Sequence, residues 1–230
     1  MGAPVDAVER FAHELARPPA TIRLDVAAFC IAAQAHPGLD VDAACARLDA
    51  LAARCPAPTF AGVRELLFER EGFRGNVDAY DDPENSFLDS VLDRRIGIPI
   101  TLSLVMMEVG RRIDVPVAGI GLPGHFIVAD GAEPGRWCDP FAGGTVLDLA
   151  AVRALAGRMR PGPFVPGLLA PAHPVAIVAR MLANLERGPL GRVPRHRDWI
   201  NTLRAAFPGV TETERRRLRA EADAVRARWN

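Results

Sequence analysis

Residues 97–144 read GIPITLSLVMMEVGRRIDVPVAGIGLPGHFIVADGAEPGRWCDPFAGG, and the change of pattern inside this stretch sets the fold class. From Pro99 to Ile113 the apolar residues Ile100, Leu102, Leu104, Val105, Met106, Met107 and Val109 fall on almost every side of a helix. A helix of that kind is buried at the centre of a domain. Proline suits its first position, where a missing N–H costs nothing. Glu108 is its one acid, and Arg111 and Arg112 follow at helical-neighbour spacing, which predicts a structural ion pair. After Pro116 the pattern shortens. Residues 117–122, 125–129 and 136–139 are strand-like runs with Gly, Pro and Asp between them. Gly143-Gly144 starts a turn, and Val146 and Leu147 offer a further short strand. An antiparallel meander against a central buried helix is an α+β arrangement.

Helices flank this core on both sides. Residues 1–70 form an N-terminal helical part. Val5, Val8, Phe11, Ala12 and Leu15 keep helical spacing until Pro18-Pro19. A second helix covers Asp25 to Ala35. Asp40 caps a third, with Val41, Ala44, Cys45, Leu48, Leu51, Ala52 and Cys55 on one face, and a fourth starts near Thr59. Gly72 to Pro83 reads as a loop, in which Asp81, Asp82 and Glu84 form a solvated turn rather than a cation site. Ser86 is placed to cap a short helix ending at Arg94. The core thus covers residues 71–156, a Gly/Pro-rich linker 157–173, and C-terminal helices 174–230, the whole forming one compact unit. Pro174 to Arg187 is a helix. The last helix opens on a capping box, Thr211 with Glu214, and its many arginines, Arg228 among them, alternate with acids as on a solvated face.

The 230 residues are 49% hydrophobic and 24% charged, enough for a sizeable core. The 28 basic residues, all arginine, balance 28 acidic ones. That balance gives no electrostatic footprint for nucleic acid or an anionic membrane. No apolar run is long enough to span a bilayer. The four cysteines form no CxxC pair, so no zinc site is expected; no other metal and no cofactor is expected either, and the sequence reads as cytoplasmic with free thiols.

Thiol acyl transfer needs a Cys at a helix N-terminus, a His to take its proton and an Asp to orient the His. The blocks GN…DAYDDPENSFLDSVLDRRIGIPITLSL, LPGHFIV and DPFAGG closely resemble the SirB-type branch of the transglutaminase-like superfamily. RLDALAARC and VARMLANL add to the resemblance, which extends roughly from residue 25 to 187. It implies a transglutaminase-like (cysteine-proteinase-like) core. In that superfamily Cys, His and Asp come in this order, the Cys opening a buried helix and the other two lying on successive strands. Asp114-Val115-Pro116 resembles the turn after the helix, and counting back sets Gly97 on the family's Gly and Pro99 on its Cys. His125 matches the His and Asp139 the Asp. Ala142 departs from the Asn that the family more often has before Gly-Gly.

The position of the nucleophile therefore carries a proline. Thr101 is rotated by about 200° from Pro99. Ser103 lies one turn on, near the same face but deeper, and strand alternation sends Cys138 away from Asp139. Three readings follow. The first is a non-catalytic binding or regulatory module, a pseudoenzyme that retains His125 and Asp139. It would take a peptide or protein, or an anionic group at the start of helix 99–113, where unpaired N–H groups favour anions. Its binding residues would be Arg94, Arg95, Gly97, Pro99 and Gly124. The second is an acyl-transfer or amide-hydrolysing enzyme with Thr101 or Ser103 as nucleophile. The third is a helical protein-interaction module.

Overall fold

The computed structural model describes residues 3–159 and 164–227. In chain order the elements are α1 (Ala3–Leu15), α2 (Leu24–Ala35), α3 (Val41–Ala52), α4 (Phe60–Arg64), β1 (Arg74–Gly75), α5 (Leu88–Arg94), β2 (Ile96–Gly97), α6 (Pro99–Arg112), β3 (Val117–Leu122), β4 (His125–Asp130), β5 (Trp137–Asp139), β6 (Thr145–Leu147), α7 (Leu149–Met159), α8 (Pro174–Arg187), α9 (Pro194–Ala205) and α10 (Glu212–Arg226). The fold is α+β and consistent with a transglutaminase-like core. It divides into two compact units: Ala46–Tyr80 with Ser90–Ala172, and Met1–Cys45 with Asp81–Asp89 and His173–Asn230. None of the described helices is long and apolar enough to cross a membrane.

The first of these units holds α6 and the sheet. Strands β3 to β6 pair in sequence order, all antiparallel. The β3–β4 hairpin closes through Pro123 and Gly124, with Leu122 opposite His125. Gly124 has φ +69°, the conformation a turn with Pro then Gly at its centre demands. Helix α6 packs on β3 and β4 and is buried from Pro99 to Met106. Gly119 permits a close approach there, since a Cβ on it would lie 2.8 Å from the Phe126 ring and 3.0 Å from Met107 Sδ. Ile120, Leu122, Ile127 and Trp137 pack with Val152, Leu155 and Ala156 of α7 as a second apolar cluster. Glu108 is buried but paired, with Oε2 accepting from Arg111 Nε at 2.8 Å and Arg112 Nη1 at 2.9 Å. That is the structural ion pair its spacing predicts.

Helix α4 runs on as a wider π-helical turn over Glu65–Arg70. Beyond it the stretch expected as loop contains a strand. Arg74 and Gly75 pair in parallel with Ile96 and Gly97. Of the Gly/Pro-rich stretch 157–173, residues 157–159 end α7, 160–163 lie outside the described residues, and Pro166–Leu169 form a 3-10 turn. Pro171 then bridges to Ile120, and Ala172 N–H donates to Gly119 O at 2.8 Å.

In the other unit, α2 is buried along Leu24–Ala33 and packs on α1. Helix α8 packs on α2 and α9, and α9 on α10. Ser86 does not begin a helix as its sequence position suggests. Asp82 caps a 3-10 turn over Pro83–Ser86 instead, accepting from Glu84 N–H at 3.0 Å, because Asp before Pro starts a turn of its own. Thr211 caps α10 through Glu214 N–H at 3.2 Å, but the Glu214 carboxylate turns to Arg217, so only half of the capping box forms. Arg228 lies outside the described residues.

Candidate functional site

The hairpin and the short strand β5 bring His125 and Asp139 together. His125 is the first residue of β4 and Asp139 the last of β5, fourteen positions on. The His125 Nε2–H donates to Asp139 Oδ2 at 2.9 Å, and both side chains are buried. The other carboxylate oxygen is also engaged. Asp139 Oδ1 accepts from Phe141 N–H at 3.0 Å and Ala142 N–H at 3.3 Å, and Asp139 O accepts from Gly144 N–H at 3.0 Å. These bonds make an Asx turn of the Asp-Pro-Phe-Ala segment and fix the carboxylate before it meets the ring. Because a carboxylate only accepts, the bond also fixes the imidazole tautomer, with a proton on Nε2.

An aromatic wall stands beside the pair. Phe141 meets His125 edge-on, with centroids 6.1 Å apart, and Tyr80 meets Phe141 edge-on at 5.7 Å. Tyr80 and Val77 are exposed. Glycines let the backbone close in around Phe141. Gly75 N–H donates to Phe141 O at 3.2 Å, and a Cβ on Gly75 would lie 2.5 Å from the Phe141 ring. Gly144, at φ +77°, faces the Phe68 side chain so closely that a Cβ would lie 2.2 Å from it.

The start of α6 is closed by its own residues. Pro99 is buried, and Thr101 Oγ accepts from Ile98 N–H at 3.1 Å. Thr101 has no exposed surface. A Cβ on Gly97 would lie 2.8 Å from Thr101 Oγ, so Gly97 makes room for this cap. Ser103 is fully buried as well, its hydroxyl 3.5 Å from Phe126 O. Cys138 is buried; burial, with Asp139 adding to it, pushes its thiol up to about 12. Arg94 ends α5. Arg95, at φ +56°, pairs with Glu71 at 3.1 Å and lines a pocket that contains neither His125 nor Asp139. Gly124 shapes the turn before His125. The structure thus joins His125 to Asp139, sets Gly97 and Thr101 at the helix start, and turns Arg95 toward other partners.

The sequence alone does not mark Phe141, Tyr80 and Gly75 as neighbours of the pair. The Asp-Pro dipeptide at 139–140 does announce a turn, but nothing local links Tyr80 or Gly75 to it. Among the described residues no group of three or more His, Cys, Asp or Glu side chains is placed to hold a metal ion.

The chain belongs to the transglutaminase-like superfamily, whose family model matches residues 33–183. A UPF0162 protein of Xylella fastidiosa (strain 9a5c) is 41% identical over 134 residues, covering 54% of this chain and 47% of that protein. A UPF0162 protein of Vibrio cholerae is 31% identical over 131 residues, 55% of this chain and 48% of that protein. The chain is also similar to mouse F-box only protein 21, 33% identical over 84 residues, 36% of this chain and 12% of that protein. The matches span about half the length of the UPF0162 relatives. No solved structure matches significantly.

Proposed function

We propose that this is a SirB-type transglutaminase-like protein acting as a binding or regulatory module, in which His125 and Asp139 persist without a thiol partner. The observation that carries this reading is the state of the candidate nucleophiles that the sequence offers. Pro99 has no nucleophile. The Thr101 hydroxyl caps its own helix, the Ser103 hydroxyl is sealed under β4, and the Cys138 thiol stays protonated near neutrality. Exposed Tyr80, edge-on to Phe141, offers an apolar contact for a peptide or protein. A soluble, cytoplasmic setting fits the free thiols.

One observation favours a second reading, a hydroxyl-dependent acyl transferase or hydrolase. The 2.9 Å bond between His125 and a carboxylate anchored from two sides is the arrangement that prepares a general base.

A screen with thiol- and hydroxyl-directed covalent probes separates the two, run on wild type and His125→Ala. The module reading predicts no residue whose labelling depends on His125. Labelling of Thr101 or Ser103 that disappears in His125→Ala would establish the enzyme reading instead.

A further inference from the structure

In the unit that holds α6, a second site lies among α3, α5 and the start of β1. It is a pocket of about 240 Å³ with an apolar floor of Leu51, Phe73 and Leu92. Its lining also carries three arginines, Arg47, Arg54 and Arg95, and the carboxylate of Glu71. The geometry points to this pocket as a binding site for a small molecule with an oxyanion head, phosphate or carboxylate, on a short apolar body.

The charged part of the lining is built and oriented. Glu71 is half-buried and bridges two guanidiniums, with Oε1 3.1 Å from Arg54 Nη2 and Oε2 3.1 Å from Arg95 Nη2. Arg47 Nη2 pairs with Asp93 at 2.5 Å. Each arginine thus engages one terminal nitrogen. Its Nε and second terminal nitrogen make no hydrogen bond among the described residues. Three guanidiniums against two carboxylates leave one net positive charge at the mouth of an apolar pocket. Guanidinium forks bind phosphate and carboxylate in two-point fashion, which suits an anion entering between them.

The backbone at Arg95 is a second, independent sign. Arg95 N–H donates to Val91 O at 2.8 Å, closing α5, and Arg95 O accepts from Arg74 N–H at 3.0 Å. The residue sits at φ +56°, directly after a helix end, where glycine is the usual occupant. An arginine there bears a steric cost that glycine would not. Its side chain lines the pocket.

The floor excludes a purely ionic role. An inorganic anion meets only the charged groups, whereas an attached chain of a few carbons also covers Leu51, Phe73 and Leu92. The site is independent of the His125–Asp139 reading, since its lining includes neither residue.

The test is calorimetric titration of the whole chain at low ionic strength with hexyl phosphate and with hexanoate, against inorganic phosphate and hexanol. At least one headed amphiphile should bind in 1:1 ratio, tighter than both inorganic phosphate and hexanol. Arg54→Gln removes one fork at an exposed residue and should weaken binding roughly tenfold or more. Ala50→Phe, at an exposed position of α3 that lines the mouth, should block it without touching any charge. His125→Ala should leave it unchanged. Absence of saturable binding by both amphiphiles, equal affinity for inorganic phosphate, or binding indifferent to both Arg54→Gln and Ala50→Phe would overturn the site.

Discussion

Asp139 reaches the His125 ring through Oδ2 at 2.9 Å while its Oδ1 is held by the N–H groups of Phe141 and Ala142. One carboxylate therefore both orients a histidine and shapes the turn that follows it. The two roles separate on substitution. Asp139→Ala loses all of these bonds and leaves buried donors unpaired, a cost of about 2–4 kcal/mol. Asp139→Asn keeps an acceptor for the turn and should lose clearly less. Urea denaturation of both variants measures the difference; equal losses would contradict the split role.

Neighbouring glycines in the Gly-Gly turn should respond unequally. Both have positive φ, +64° at Gly143 and +77° at Gly144. A Cβ at Gly143 meets nothing within 4 Å, whereas one at Gly144 meets the Phe68 ring at 2.2 Å. Gly143→Ala should cost about 1 kcal/mol from backbone conformation alone. Gly144→Ala adds an overpacking cost of about 1–3 kcal/mol. Thermal or urea unfolding gives the ranking, and a Gly143→Ala variant as unstable as Gly144→Ala would count against the packing described.

Thiol labelling should follow burial and protonation. Cys30, Cys45 and Cys138 are buried, while Cys55 is half-exposed. With its thiol pushed up to about 12, Cys138 holds almost no thiolate near neutral pH. Its labelling should rise only as pH climbs toward that value or as the fold opens. Peptide mapping after alkylation of the native chain should find Cys55 modified first. Early modification of Cys138 would place a reactive thiol beside Asp139 and reopen the enzyme reading.

In the helical unit, Asp42 is held below the usual carboxylate range by its hydrogen bonds to Arg10 and their charge attraction. A depressed carboxylate contributes stability above its unfolded pKa, about 4, and loses it as pH falls through the folded value. The stability gap between wild type and Asp42→Asn should thus be small at neutral pH, since the pair is exposed, and close below about pH 4. Denaturation across that range reads the gap. A gap that widens on acidification would reverse the sign.

Much of the fold was legible because its patterns are local. Pro99 and the apolar run behind it place α6, whose end at Arg112 lies one residue before the expected Ile113. Pro174 and Arg187 bound α8 where periodicity and a proline start require. The strand 117–122 is delimited by Pro116 and Pro123. The β1–β2 ladder was illegible because each strand has two residues and their partners lie twenty-two positions apart. Helix α9 has no clear sequence pattern because its buried Trp199, Ile200 and Leu203 stand among polar residues. At the site, His125 and Asp139 stood out as residue types in a known order. Tyr80, Phe141 and Gly75 did not, since their proximity is made by tertiary packing and leaves no spacing to read.

On the proposed reading, Pro99 occupies the place of a nucleophile that His125 would otherwise serve. Pro99→Cys tests it directly, through the alkylation rate of the introduced thiol near neutral pH, alone and combined with His125→Ala. The account predicts fast alkylation that falls about tenfold or more when His125 is removed, as expected of a thiol activated by a neighbouring imidazole and a helix N-terminus. An introduced thiol that stays inert, or that reacts at the same rate with and without His125, would contradict it.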